Sequence, residues 1–302
     1  EATAMARESE SKAVAALDEP LGAWLRRQRY SDAFRDAYLL PMAAAIWSCP
    51  MKTMLGFPLG SFVRFFHNHG LLQIEDRPQW YTVLGGGREY VRRITDAVGD
   101  VRTGARVLAV LREPSGAGVH LVTAAGTERF DQVVFATHST QTLAMLDDAD
   151  AEERALLGAI AYQPNRAWLH TDARLMPRRR KAWAAWNYLG NGDPASPEVS
   201  VTYWLNRLQP LPFTSDVLLS LNPLSEPAPD KTIAVFDYEH PVFDRAAVAA
   251  QKRLPSIQGR RGAWYAGAWT GYGFHEDGLR SGLEVAARIL ELDVDAARRV
   301  AA

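Results

Sequence analysis

Ala263-Trp264-Tyr265-Ala266-Gly267-Ala268-Trp269-Thr270-Gly271-Tyr272-Gly273-Phe274-His275-Glu276-Asp277-Gly278-Leu279-Arg280-Ser281-Gly282-Leu283 is the stretch on which the reading of this chain turns. An apolar run that can form a buried strand meets a loop containing Gly267, Gly271 and Gly273, and a helix follows. Leu279, Leu283, Ala286, Ala287 and Leu290 recur at the spacing of one helical face. Glu276 and Asp277 fall in the first turn, where negative side chains favour the helix dipole. Strand, glycine loop and helix N-terminus together turn backbone N–H groups toward an anionic or polar ligand. A tight connection that binds nothing fits the same local chemistry.

Position narrows the choice. Gly271-x-Gly273 does not complete G-x-G-x-x-G, because the next glycine, Gly278, is two places late. A first βα unit also needs another strand after its helix, with an acidic residue at its end. Here only one helix follows, so the motif reads as the last strand and helix of a sheet begun elsewhere. Residues 1–80 hold no strand–G-x-G-x-x-G–helix unit. The expected sheet therefore lacks its first βαβ unit, about 30 residues long and the usual pyrophosphate site. The chain opens at Glu1, without methionine, in a run (1–17) that reads as mid-domain helix, so a fragment or a processed start is expected.

Outward from the motif, the clearest β region precedes it. Residues 106–111, 119–123 and 128–130 read as three strands joined by Gly-containing turns. Gln132-Val133-Val134-Phe135-Ala136-Thr137 follows, a near-continuous apolar run with the look of a central parallel strand buried on both faces. A meander inserted before a buried strand fits a dinucleotide-binding domain. A second glycine loop, Gly85-Gly86-Gly87, precedes a helix carrying Tyr90, Val91, Ile94 and Val98; it is either a flexible turn or a close approach of backbone to a ligand. Residues 31–47 read as an N-capped helix kinked or broken at Pro41, and 59–72 as a helix with an aromatic face from Phe62, Phe65 and Phe66. Residues 162–205 are rich in strand formers. Within them, Arg178-Arg179-Arg180-Lys181 reads as a solvated loop, with a phosphate or anionic-lipid contact as the minority reading.

Bulk properties exclude several classes. The chain has 302 residues, 47% hydrophobic and 23% charged, the composition of an ordinary globular protein. A net charge of −1 gives no footprint for nucleic acid. The single cysteine, Cys49, rules out an internal disulfide and a cysteine-built metal site, and fits a reducing cytosol; a buried small hydrophobe is its expected role. No signal peptide opens the sequence, and its longest apolar stretch, 38–47, is too short to span a bilayer. Nine tryptophans and ten tyrosines suit large packing surfaces, or a flat or apolar ligand.

Several long stretches carry a family resemblance: 38–48 (YLLPMAAAIWS), 65–72 (FFHNHGLL), 80–90, 184–189 (AAWNYL), 202–209 (TYWLNRLQ), 240–244 (HPVFD) and 271–282. They run along almost the whole chain. It resembles the C-terminal two-thirds of flavin-containing amine-oxidase-like oxidoreductases, and most of all a bacterial subgroup labelled predicted NAD/FAD-binding proteins. Relatives of that subgroup occur beside, or fused to, cyclopropane-fatty-acid synthases. The resemblance implies an α/β fold of mixed α+β character: an incomplete glutathione-reductase-type FAD-binding domain with an inserted β-meander, interleaved with an α+β substrate domain. The implied division assigns 1–96 to the helical part of the substrate domain with its glycine loop, and 97–148 to the FAD-domain meander and buried strand. It then assigns 149–258 to the strand-rich substrate domain and 259–302 to the closing strand, loop and helix.

The same resemblance implies the site. Arg106 and Val107 would pass the adenine, Ala136 and Thr137 would mark the strand end near the dinucleotide, and Gly267 would lie near the ribityl or pyrophosphate. Gly273, Phe274, His275, Glu276 and Asp277 would lie beneath the flavin pyrimidine edge. A backbone N–H there, that of Glu276, could stabilise negative charge on the reduced ring. Gly86 and Gly87 would flank the ring from the substrate side. His275 is the candidate acid/base group, able to titrate near neutrality, with a cap or packing role equally open. Trp186, Trp269 and Tyr272 are candidates for the substrate wall. Two departures stand out. Ala268 occupies the place of the acidic residue that many amine oxidases use to hold a ribityl hydroxyl, leaving backbone, water or Asp277 for that role. The cysteine motif of covalent flavinylation is absent, so FAD should be noncovalent, and without the N-terminal unit it should bind poorly or not at all.

The implied activity is that of an FAD-dependent oxidoreductase acting on an apolar or lipid-type substrate in the cytoplasm. A peripheral membrane contact and a cyclopropane-fatty-acid-synthase-type partner are also implied. A carotenoid-type desaturase or isomerase, and a non-catalytic flavoprotein-like scaffold for a lipid-modifying enzyme, are the alternatives.

Overall fold

The computed structural model describes residues 19–47, 49–73, 75–76, 79–191 and 199–300. The helix expected over 5–17 lies outside them. The main helices in chain order are α1 (Leu21–Arg27), α2 (Leu40–Trp47), α3 (Leu59–Asn68), α4 (Arg88–Ala97), α5 (Ser139–Met145), α6 (Ala151–Gly158), α7 (Arg245–Arg253) and α8 (His275–Val300). The strands are β1 (Val107–Arg112), β2 (Val119–Thr123), β3 (Gly126–Phe130), β4 (Val133–Phe135) and β5 (Ala161–His170), then β6 (Trp186–Gly190), β7 (Val199–Trp204), β8 (Leu218–Leu221), β9 (Thr232–Val242) and β10 (Ala263–Tyr265). The chain passes back and forth between two units, Glu1–Val101 with Gln163–His240, and Arg102–Tyr162 with Pro241–Ala302. Among the described residues no helix is long and apolar enough to cross a membrane.

The first unit is built on a five-stranded sheet of order β6-β7-β8-β5-β9. The antiparallel register aligns Tyr188 with Val201, Val201 with Leu221, and Leu221 with Ala167, so these side chains share one face. Trp186 and Tyr203, two residues away on their strands, point the same way. The Tyr203 hydroxyl reaches the Ala45 carbonyl and the Tyr188 hydroxyl reaches the Met51 sulfur, which lays the segment around α2 over this face. The aromatic run expected on 59–72 does form a core: Trp47 packs against Phe57, Phe62, Phe65 and Phe66. The helix itself ends at Asn68, where Gly70 adopts a positive φ of 64°.

The expected break at Pro41 falls earlier. Residues Arg35–Leu39 form a π-helical turn, with the Leu40 N–H bonded to the Arg35 carbonyl, and α2 then carries Pro41 at its second position. A widened turn just upstream absorbs the missing N–H and the ring clash that proline imposes.

On the other face of the sheet, polar groups are buried and mutually bonded. The Asp172 N–H donates to His170 Nδ1, so Nε2 carries the proton and donates to Ser220 Oγ, which pairs with Thr202. Burial lowers the His170 pKa. An imidazole whose Nδ1 is occupied and whose Nε2 is protonated cannot take a proton from Ser220. The pair is structural.

The second unit holds the antiparallel meander β1-β2-β3 and a parallel pair, β4 with β10. Helix α6 belongs with it because of one buried ion pair. Arg112, at the end of β1, donates to both carboxylate oxygens of Glu153 at 2.5 and 2.8 Å. Both side chains are 1% exposed. Glu153 also accepts the Asp150 N–H in a capping box and the Tyr265 hydroxyl at 2.9 Å. Asp148 joins from outside, bonded to Arg112 and to Arg261. Three elements, β1, α6 and β10, thus meet on one carboxylate.

One expectation fails here. Residues 132–137 read as a strand buried on both faces, yet Val134 is 44% exposed. Among the described residues β4 pairs only with β10, so its other edge and part of one face meet solvent.

Removing one partner of the buried pair leaves an uncompensated charge, at a cost of about 3–5 kcal/mol. Glu153→Ala should destabilise the protein by that amount in chemical denaturation, and the apolar pair Arg112→Met with Glu153→Leu should recover most of it. Burial alone would raise the Glu153 pKa, but the bonds from Arg112, Asp150 and Tyr265 outweigh it and hold the value below the ordinary one. The carboxylate then contributes stability above the ordinary carboxylate range and loses it as pH falls through the lowered folded value. Stability measured against pH should show that acid limb in the native protein and a shallower one in Glu153→Gln.

Candidate functional site

The parallel register of β4 and β10 brings two strand ends to one edge. Phe135 lies opposite Tyr265, and the Ala266 N–H extends the ladder to the Phe135 carbonyl at 2.9 Å. Ala136-Thr137 and Ala266-Gly267 therefore leave the sheet side by side. The crevice outside the carboxyl ends of parallel strands is where open α/β sheets bind ligands.

Glycine is required at the first step out of β10. Gly267 has φ 147° and ψ 163°, a region closed to other residues. A Cβ there would lie 2.8 Å from the Trp269 ring. Trp269 folds back under the turn and its indole N–H donates to the Thr137 carbonyl at 3.1 Å, joining the two strand ends. The Gly267 N–H donates to Ser281 Oγ, on the second turn of α8. Thr270 Oγ1 donates to the Gly267 carbonyl. From α7, the Gln251 amide donates to the Trp269 and Gly271 carbonyls at 2.9 and 2.7 Å. The loop is held from three sides.

The helix start is equally determined. Asp277, 9% exposed, turns back to accept the Phe274 N–H at 3.1 Å, and only a residue without Cβ at 271 leaves room for its carboxylate. Gly273, at φ 92°, lies with its Cα against the Phe243 ring, which a Cβ would approach to 3.2 Å. His275 and Glu276 are exposed, so the first turn of α8 presents its N–H groups and an imidazole outward.

Beside the strand ends lies a cleft of about 570 Å³. Arg106, Val107, Ala136 and Thr137, four residues singled out from sequence, line it together with Gln141 and the apolar Leu108, Val134 and Met145. Gly267, Trp269, Tyr272, Gly273, Phe274, His275, Glu276 and Asp277 form the loop just described. Gly86, Gly87 and Trp186 belong to the other unit. There Gly86 (φ 85°) has open space around it and Trp186 packs edge-on against Tyr203. Sequence reasoning did not reach Ser281 and Gln251. Each acts through a side-chain bond to a residue 14 to 20 places away, which no local pattern signals.

No family model and no curated protein matches the chain. Solved structures do. Cyclohexylamine oxidase from Brevibacterium oxydans IH-35A superimposes with a TM-score of 0.60 at 14% identity, over 96% of this chain and 73% of that one. A putrescine oxidase double mutant redesigned in its cofactor binding gives 0.63 at 12% identity, over 96% and 73%. The CLA-producing fatty acid isomerase from P. acnes gives 0.55 at 14% identity, over 91% and 74%. The chain shares their fold. At these identities the likeness concerns the fold alone.

The contrast between two glycines tests the loop geometry. Gly267→Ala should lose about 1–3 kcal/mol and disturb the near-ultraviolet signal of Trp269. Gly282→Ala, in open space on α8, should gain about 0.5–1 kcal/mol in the same denaturation assay.

Proposed function

We propose that the protein is an FAD-dependent oxidoreductase of the amine-oxidase superfamily, with a glutathione-reductase-type FAD domain, acting on an apolar or lipid-type substrate. The observation that carries this reading is the Gly267 turn between two parallel strand ends and the start of a long helix, in a chain sharing the fold of two oxidases and a fatty acid isomerase. The residues present fit such a group. Backbone at 267 and 273 lacks the Cβ that would fill the approach, and the adjoining cleft has an apolar wall with Arg106 and Thr137 at its margin. Trp269 and Thr137 would fix the turn, and the first-turn N–H groups of α8 would face the anionic or polar edge of the cofactor. When bound, FAD supplies the acceptance of a hydride from a C–H bond; orientation and exclusion of water fall to the protein. His275, exposed at the head of α8, would hold or release a proton there. Asp277 is engaged with the Phe274 N–H, so its part is to fix the loop.

The pyrophosphate-binding βαβ unit is, on this reading, supplied by residues outside these 302 and adds a parallel strand along the open edge of β4. Two features support it. A parallel pair exposed along one edge is an unusual end state. Leu108, Val134, Leu279 and Leu283 are large apolar side chains left in solvent in the same unit.

The test is expression with the coding sequence upstream of Glu1. The purified protein should carry FAD, seen in its visible absorbance. Gly273→Phe should abolish flavin retention, and because a side chain at φ 92° strains the loop, folded content is followed by circular dichroism in the same sample. A preparation that is colourless and takes up no added FAD refutes the assignment.

A further inference from the structure

A second cavity, within the first unit, has a different chemistry. It measures about 440 Å³, the scale of a small-molecule site. Its floor is apolar: Val199 and Val201 of β7, Leu221 of β8, and Ala44 and Cys49 from the segment above the sheet. Its rim carries three amides, Gln163, Asn165 and Asn222, with Leu224 at the mouth.

Two of the amides, Asn165 and Asn222, are interlocked. Asn165, 2% exposed, donates one N–H to the Gln163 backbone carbonyl and the other to His240 Nδ1. Its side-chain oxygen accepts from Asn222 Nδ2 at 2.7 Å. The Asn222 oxygen accepts the Arg166 N–H, and the residue is held at a positive φ of 46°. An amide nitrogen has two hydrogens. One of the Asn222 pair is committed to Asn165, which leaves the other for a ligand oxygen at a fixed place on the rim.

Among the described residues that line this cavity none is acidic or basic, and none is aromatic. The ionisable group among them, the Cys49 thiol, is pushed up to about 12 by burial and stays protonated, 3.3 Å from the Met54 sulfur. A cationic amine would find neither a carboxylate nor an aromatic cage, and a carboxylate would find no guanidinium or ammonium. Burying either charge unpaired is costly.

We infer that this cavity is a binding site for uncharged apolar molecules bearing a single oxygen function, of the long-chain alcohol, ketone or ester class. The apolar body lies on Val199, Val201 and Leu221, and the oxygen accepts from Asn222. As the substrate class of the enzyme, this rests on the oxidoreductase reading; as a ligand site it stands on the cavity alone.

Calorimetric titration at pH 7 with 1-decanol below its solubility limit, and with decanoate and decylamine below their micelle concentrations, tests it. Decanol should bind saturably, and the two ions at least about tenfold more weakly. Val201→Trp, which fills the floor, should abolish decanol binding. Leu224 is 37% exposed, so Leu224→Lys leaves the fold undisturbed and should bring decanoate to parity with decanol while weakening decylamine further. Absence of saturable decanol binding overturns the inference. Equal affinity for the ions, or no gain of decanoate binding in Leu224→Lys, does the same whether or not Val201→Trp folds. Flavin content, measured with decanol binding in protein expressed with the coding sequence upstream of Glu1, separates the two readings. Decanol binding in a protein that never takes up FAD sinks the proposed function and leaves this site; a flavin-loaded protein that ignores decanol does the reverse.

Discussion

The Arg112–Glu153 pair fixes the frame on which the second unit depends. Three elements distant in sequence end on the Glu153 carboxylate: β1 through Arg112, the start of α6 through the capping box, and β10 through the Tyr265 hydroxyl. The Tyr265 hydroxyl is buried beside that carboxylate, and burial with the negative charge raises its pKa, which keeps it a donor at any ordinary pH. Gly267 begins two residues later. The turn that ends β10 inherits its position from a charge pair on the opposite side of the strand. Buried ion pairs often add little net stability over apolar replacements. Their use here is register: an apolar contact would tolerate a slide of β10 along β4, whereas three directional bonds to one carboxylate would not.

Much of this was legible in the residues, for reasons that can be named. The strand–glycine–helix stretch at 263–283 carries its own punctuation, because a positive φ admits little besides glycine and a buried helix face must repeat near every third or fourth residue. The meander was legible for the same reason: Gly116 and Gly126 both have positive φ, at the turns expected. Exposure of Val134 was not legible. A run of apolar residues reports what a strand is suited to touch, and the described chain offers it a partner on one edge only. The π-helical turn before Pro41 was half legible: proline announces a disturbance, but how the preceding turn absorbs it depends on what packs around Leu39 and Leu40. Arg180 was legible in part. Its run of basic residues is exposed, as read, but its guanidinium also makes a bidentate pair with Asp216 and lies 3.9 Å over the Trp183 ring. Nothing within 30 residues of Arg180 points to Asp216.

The amide rim belongs to the same class of hidden feature. Asn165 and Asn222 are 57 residues apart and neither stands in a recognisable motif. Antiparallel pairing of β5 with β8 brings them together: Ala167 opposite Leu221 puts Asn222 one step beyond the strand end, beside Arg166. The left-handed backbone at Asn222 then turns its side chain toward Asn165. Asparagine tolerates that conformation better than most residues, so one residue type serves both the strand end and the rim.

The two places differ in their polar groups. At the Gly267 loop the first-turn N–H groups of α8 stand beside the carboxylates of Glu276 and Asp277. Among the described residues lining the 440 Å³ cavity none is charged, and two of its amides are already bonded to one another. Preorganised amides lose little by meeting one more neutral oxygen, whereas an ion would have to give up its hydration for a single hydrogen bond. On the proposed reading this division has a chemical consequence. A flavin receives a hydride without needing charge on the donor, so the molecule oxidised can be selected by shape and one oxygen atom alone. The discriminating feature is that no described lining residue supplies a counter-ion, which the aromatic content of the chain could not have revealed.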